Sequence, residues 1–178
     1  TVESFACVHL TNGGLKCWGN NTMGQYGNGS SEISAVPVTV LNPAGTAPLE
    51  GVALVTTGSW HTCIFTTWEA VHPFYCWGNN YMGQLGLGAE STPALLPQPV
   101  ADISGAAGGG GTAAEVQIVA GGAHTCSFTS SDGLKCWGSN SKGQLGDGTT
   151  TNRLNPVDVA GLSSAVRSAA LGDNFTCA

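Results

Sequence analysis

The chain has 178 residues, 42% of them hydrophobic and only 9% charged, with 27 glycines and a formal net charge of −6. Its five Lys and Arg residues are too scattered to form the clustered basic surface that a phosphate backbone requires, so neither nucleic acid nor an anionic membrane surface is expected as a partner. No apolar run approaches the ~20 residues of a membrane-spanning helix, and no membrane insertion is expected; few charges with many Gly, Ser, Thr and Asn suit short strands and tight turns.

The first unit, residues 1–51, opens on the apolar stretch Phe5–Leu10, turns at Asn12-Gly13, and returns as Leu15–Gly19. Asn-Gly between two short apolar runs predicts a β-hairpin, because both residues tolerate positive φ. Cys7 and Cys17 stand equidistant from that turn and should face each other across the two strands. The polar turn sequence Cys17-Trp18-Gly19-Asn20-Asn21-Thr22-Met23-Gly24-Gln25-Tyr26-Gly27-Asn28-Gly29 follows. Pro37-Val38 then opens a predicted strand, Val38–Val40, with a proline tolerated at its first position.

The second unit, residues 52–115, runs through a strand Val52–Thr56 and a hairpin carrying Cys63 and Cys76. The turn sequence recurs as Cys76-Trp77-Gly78 through Gly88, Pro99-Val100 marks the next strand, and a connector holds Gly108–Gly111. Residues 116–164 repeat the plan: a strand Val116–Ala120, the pair Cys126 and Cys136 about an Asp132-Gly133 turn, the motif Cys136–Gly148, and Pro156-Val157. The middle hairpin is the longest, and its extra residues include Trp68, Glu69, His72 and Pro73. A strand Val166–Ala170 and the stretch Asn174–Ala178 begin a fourth unit at 165–178; the partner of Cys177 would fall beyond Ala178, so the sequence reads as part of a longer array.

The three motif copies share C-W-G-x-N-x-x-G-Q-[LY]-G-x-G and start 59 and 60 residues apart. Self-similarity at such a period means a solenoid or propeller, in which each unit buries its apolar face only against its neighbours. Four short strands per unit make one propeller blade. Six of the seven cysteines form hairpin pairs, Cys7/Cys17, Cys63/Cys76 and Cys126/Cys136, which points to an oxidising compartment. Cys177 is left unpaired in this chain.

These residues resemble the regulator-of-chromosome-condensation repeat family. The match rests on W-G-x-N-x-x-G-Q-L-G-x-G, on G-x-x-H-T-C ahead of it, and on the intervening P-V and V-x-x-V-x-x-G, and it spans essentially the whole chain. The resemblance implies an all-β propeller, typically of seven blades, of which about three blades lie here. It implies no catalysis. Cysteines at the H-T-C and C-W-G positions look like a secreted, disulfide-bearing branch, in which propeller loops on one face grip a protein. A nuclear role in chromatin binding and nucleotide exchange, known in the family, fits paired cysteines and an acidic chain poorly.

Repeat-constant residues have structural explanations. Trp18, Trp77 and Trp137 read as inter-blade packing rather than a sugar platform, and Asn21, Asn80 and Asn140 as turn residues bonding backbone. His61 with Cys63 and His124 with Cys126 have zinc-ligand chemistry, but the cysteines are accounted for by disulfides and no metal is expected. His9, His72, Glu69 and Asp147 break the repeat yet assemble no triad or carboxylate pair, so no catalytic residues and no cofactor are expected. Residues that vary at a repeat position are better recognition candidates: Trp60, aligned with Ser4, Ala123 and Asn174, and Trp68 in the long hairpin. Asn20, Asn28 and Asn174 begin N-x-S/T sequons that matter where the source glycosylates.

The expectation is therefore a non-catalytic scaffold, extracellular or on the cell surface, binding a protein partner, other copies of itself included, through connectors and hairpin tips. The alternatives are a subunit of an extracellular fibre or coat, and a carbohydrate-binding or enzymatic propeller.

Overall fold

The computed structural model describes residues 4–67, 74–89, 92–100, 103, 118–129 and 131–178. Thirteen strands and no helix occur among them. The first sheet holds β1 (Phe5–His9), β2 (Leu15–Gly19) and β3 (Ser34–Thr39). The second holds β4 (Val52–Thr57), β5 (His61–Thr66), β6 (Phe74–Gly78) and β7 (Ala94–Pro99). The third holds β8 (Ile118–Ala120), β9 (His124–Phe128), β10 (Leu134–Gly138) and β11 (Arg153–Asp158), and β12 (Ala170–Leu171) with β13 (Thr176–Cys177) begins a fourth. Every pairing is antiparallel and runs in chain order, so each sheet is an up-and-down blade and the chain is a partial β-propeller. The first unit, expected to have four strands, shows three among the described residues.

The hairpins close as the symmetric cysteine spacing requires. Cys7 pairs with Cys17, Cys63 with Cys76 and Cys126 with Cys136 in the strand registers. Each pair is a disulfide with Cα atoms 4.1 Å apart, near the spacing of facing residues in a non-hydrogen-bonded antiparallel pair. At the first and third hairpin tips the closing bonds span three residues rather than two. Leu10 N–H bonds Gly14 O and Gly13 N–H bonds Leu10 O, and Thr129 to Gly133 repeats the arrangement. A left-handed residue stands at the end of each of these loops, Gly13 (φ 80°) in one and Asp132 (φ 57°) in the other, as expected of a type I turn followed by a bulge.

The outermost strands depart from expectation. They begin at Ser34, Ala94 and Arg153, earlier than the prolines, and each is bulged between the partners of the motif cysteine and the following glycine. The register sets Val38, Gln98 and Val157 opposite Cys17, Cys76 and Cys136, so the residue equivalent to Pro37 and Pro156 is Pro97, not Pro99. All three prolines sit in the bulge of a strand with a neighbour on one side only, where a missing N–H costs no ladder bond. Of the strand expected at Val116–Ala120, Val116 and Gln117 lie outside the described residues. The strand expected at Val166–Ala170 is confined to Ala170–Leu171.

The core lies between sheets, not within one. One buried cluster joins Cys17, Tyr26 and Val40 of the first unit to Ile64, Tyr75 and Trp77 of the second. The next joins Cys63, Cys76 and Leu85 to Ile118 and Trp137. A third gathers Phe128, Leu134 and Leu145, with Val166 and Leu171 packed against it. On the hub side β4 lies against β8, and β8 against β12.

Candidate functional site

The groups that recur in every unit converge on the seams between sheets. The Gln25 carbonyl accepts from Thr62 Oγ1 at 2.9 Å and from Trp77 Nε1 at 2.8 Å. One unit on, the Gln84 carbonyl accepts from Thr125 Oγ1 at 2.9 Å and from Trp137 Nε1 at 3.0 Å. Trp77 and Trp137 are fully buried there. Each indole lies on a glycine of the preceding turn: a Cβ on Gly27 or Gly86 would stand 2.7–2.8 Å from the indole nitrogen. Both glycines have φ of +69°, so only glycine meets both demands. Trp18, at the same strand position, is half-buried.

The histidines extend this network. His61 Nε2 lies 2.8 Å from Thr125 Oγ1, and His124 Nε2 2.9 Å from Thr176 Oγ1. Thr125 spends its only proton on Gln84 O, and Thr176 on Gln144 O. The hydroxyl oxygen must therefore accept, and each histidine carries its proton on Nε2. The buried Nδ1 atoms have no hydrogen-bond partner, which suits a neutral ring. Burial, reinforced by the nearby His124, lowers the His61 pKa to about 3; burial lowers that of His124 to about 4. Phe5 and Phe175 occupy the same position in the first and fourth units. With Cys63 and Cys126 in disulfides and the rings bonded to threonines, the His–Cys pairs offer no metal site, and no cluster of three or more metal-ligating side chains occurs among the described residues.

The motif asparagines are spent on their own turns. Asn21 Nδ2 donates to Ser30 O and Glu32 O while its Oδ1 accepts from Tyr26 N–H. Asn80 and Asn140 do the same with Ala89 O and Leu85 N–H, and with Thr149 O, Thr151 O and Leu145 N–H. Asp147 is engaged as well: its Oδ2 lies 2.6 Å from Arg153 Nε, and its Oδ1 accepts from Thr149 and Asn140. Burial raises its pKa, but the hydrogen bonds from Thr149, Arg153 and Asn140 outweigh that and hold it at about 2. His9 is exposed on β1. Glu69 and His72 lie outside the described residues.

Trp60 is half-buried in the β4–β5 turn. Its carbonyl accepts from Asn79 N–H, so it stands at the same end of the sheet as the motif turn. The Thr66 end of β5 and the Phe74 end of β6 lie at the opposite end. Trp60 and the Leu10–Gly14 and Thr129–Gly133 tips therefore belong to opposite ends of their sheets; Trp68 lies outside the described residues. The motif-turn end also carries Tyr81 and Met82, 52% and 44% exposed. Sequence reading missed these two, although Thr22-Met23 and Ser141-Lys142 at the same positions mark them as variable.

Of the sequon asparagines, Asn20 is buried and its Oδ1 accepts from the backbone and hydroxyl of Thr22. Asn28 is half-buried and bonds Ser30 N–H, and Asn174 is exposed. Cys177 is an exposed free thiol.

Comparison with known proteins follows the same repeats. A model of the regulator of chromosome condensation (RCC1) repeat matches residues 12–65, 74–128 and 135–178. The ultraviolet-B receptor UVR8 of Arabidopsis thaliana is 32% identical over 163 residues, 89% of this chain and 33% of that protein. The probable E3 ubiquitin-protein ligase HERC3 of Homo sapiens is 35% identical over 105 residues, 59% of this chain and 9% of that protein. Among solved structures, yeast RCC1 (Prp20) bound to Kap60 superposes with a TM-score of 0.68 at 21% identity, over 96% of this chain and 36% of that one. The chain thus spans about a third or less of the length of each of these relatives, allowing for the slightly larger share of Prp20.

Proposed function

The chain belongs to the regulator of chromosome condensation repeat family, and from that premise we propose that it is a non-catalytic protein-interaction scaffold of an oxidising setting, extracellular or on a cell surface. One observation carries this reading. The polar and aromatic groups that recur between units bond within the fold: Trp77, Trp137, Thr62 and Thr125 to the neighbouring glutamine carbonyl, His61 and His124 to threonine, and the motif asparagines to their own turns. What is left outward differs from copy to copy, with Tyr81 and Met82 where the third unit has Ser141 and Lys142. Such a surface supplies recognition without general acid, base or nucleophile.

Three hairpin disulfides support the compartment, since cytosolic reductants keep such thiols reduced. The yeast relative bound to Kap60 supports a protein as the partner. A second reading, a subunit of an extracellular fibre or coat, draws on the outer edge of β1, which pairs with no strand among the described residues.

The test is cross-linking of the wild-type chain, and of a Tyr81→Ala, Met82→Ala variant, to the extracellular proteins of its source, read by mass spectrometry. Cross-links from the motif-turn end that vanish in a variant of unchanged melting temperature support the reading. Cross-links indifferent to the substitutions, or confined to the hairpin-tip end, contradict it.

A further inference from the structure

The motif turn of the second unit holds a sulfur in a setting that the first unit does not repeat. Met82 is 44% exposed, although its sheet is packed on both sides. Its Sδ accepts from Asn152 Nδ2 of the next unit at 3.4 Å. Asn152 Oδ1 accepts from Asn140 N–H at 2.9 Å. Asn140 is itself fully buried, with its Nδ2 donating to Thr149 O and Thr151 O. The Asn152 amide therefore cannot turn round, and its N–H is held toward the sulfur. Met23 stands at the same place in the first unit and is half-buried. The pairing of Gly78 with Ala94 and of Gly138 with Arg153 makes Pro93 the counterpart of Asn152. Proline has no N–H to offer.

We propose that Met82 is a site of oxidation by peroxide, that Asn152 restricts it to one sulfoxide epimer, and that the product takes an apolar side chain away from the recognition surface. A thioether sulfur carries two lone pairs, and oxygen on one or the other gives sulfoxides of opposite hand. The lone pair that receives the Asn152 N–H is occupied. The other is left to the solvent and attacks one oxygen of hydrogen peroxide: an S–O bond forms and the O–O bond breaks. The proton on the transferred oxygen passes to the departing hydroxide, which leaves as water. Sulfur is oxidised and the peroxide reduced. Such oxidation turns a flexible apolar side chain into a polar, chiral one. The new oxygen points away from Asn152 and outward, next in the chain to the exposed Tyr81. The effect on recognition rests on the reading of the motif-turn end proposed above; the oxidation and its handedness do not.

Limited treatment of the native chain with hydrogen peroxide, after alkylation of Cys177, tests both parts. Peptide mapping should show Met82 oxidised at least about threefold faster than Met23, since susceptibility follows exposure. A reductase specific for one sulfoxide epimer should return about nine-tenths of the Met82 sulfoxide to methionine, and the reductase for the other epimer almost none. After oxidation in urea, each should return about half. Asn152→Asp keeps the oxygen that Asn140 N–H bonds and removes the donor; with the melting temperature retained, the epimers should even out. Oxidation should abolish the cross-links from the motif-turn end, and the effective reductase should restore them. Equal oxidation of the two methionines, equal epimers on the native wild-type chain, or a bias that survives Asn152→Asp would each overturn the proposal. Should Asn152→Asp not fold, the wild-type chain in buffer and in urea decides. Cross-links that persist on the oxidised chain overturn the effect on recognition. Their absence before oxidation counts instead against the recognition reading, and the oxidation rates and epimer ratio still decide the modification site.

Discussion

Trp137 and Trp18 occupy the same position in the same strand of the same motif, yet one is fully buried and the other half-buried. Trp137 has a preceding turn to lie on, with Gly86 beneath the ring and Gln84 O to receive its N–H. No such turn faces Trp18 among the described residues. A blade therefore does not make its own core: the stabilisation sits in the seam, as the nearest-neighbour picture of repeat proteins requires.

Acid should expose this most strongly. The seams between the second and third sheets and between the third and fourth hold His61 and His124 in neutral form, with pKa values lowered to about 3 and about 4. In the unfolded chain both take up protons near 6.5. Below that value the unfolded state binds more protons than the folded one, so stability falls as pH drops from 6.5 toward 4, by several kcal/mol at about 1.4 kcal/mol for each pKa unit. Asp147, held at about 2, keeps its contribution above the ordinary aspartate pKa and loses it as the pH falls toward 2, largely below the histidine window. Urea unfolding between pH 7 and 4 checks this, and replacing both histidines by Phe, the residue at positions 5 and 175, should flatten the dependence.

Trp137→Ala should cost about 3–5 kcal/mol, the usual loss for a buried tryptophan, and Trp18→Ala about 1 kcal/mol or less; equal losses in chemical denaturation would erase the contrast between the two sites. Disulfide removal probes a term that ought to ignore the seam. Cys7–Cys17 and Cys126–Cys136 close loops of equal length, 10 residues apart in sequence. If the bond acts through the unfolded chain, replacing either pair should cost a similar roughly 3 kcal/mol. A much larger loss for Cys126–Cys136 would show that seam packing dominates even there.

Thr125→Val keeps the shape and removes the hydroxyl that His61 donates to, leaving a buried N–H unpaired at about 2 kcal/mol. At the equivalent place in the first sheet stands Ala6, exposed, and Ala6→Thr should change little. The smallest effect is local. Ala165 adopts φ 63° where the first unit has Gly51 at φ 64°. Ala165→Gly should raise stability by a few tenths to about 1 kcal/mol, the left-handed strain of alanine less the added freedom of glycine.

The hairpins, their disulfide register and the turn role of the asparagines were legible because each depends on residues close in sequence. The Cys126–Cys136 pairing needs only a symmetric turn, and Asn140 needs only its own loop. The His61–Thr125 bond was not legible, since its partners are 64 residues apart and meet only once two sheets are stacked. The place of Pro97 failed for a related reason: the second unit inserts one residue after its motif, and Pro99-Val100 imitates the Pro-Val of the other units. Tyr81 and Met82 were visible as departures from the repeat, but their exposure depends on which end of the blade the turn occupies.

Hydrogen exchange of the indole N–H protons, followed by NMR with assignments from single Trp→Phe variants, tests the seam most directly. The protons of Trp77 and Trp137, bonded to Gln25 O and Gln84 O, should exchange orders of magnitude more slowly than that of Trp18. Comparable exchange at all three would contradict the account, because it would mean that the sheets do not lock onto one another through these carbonyls.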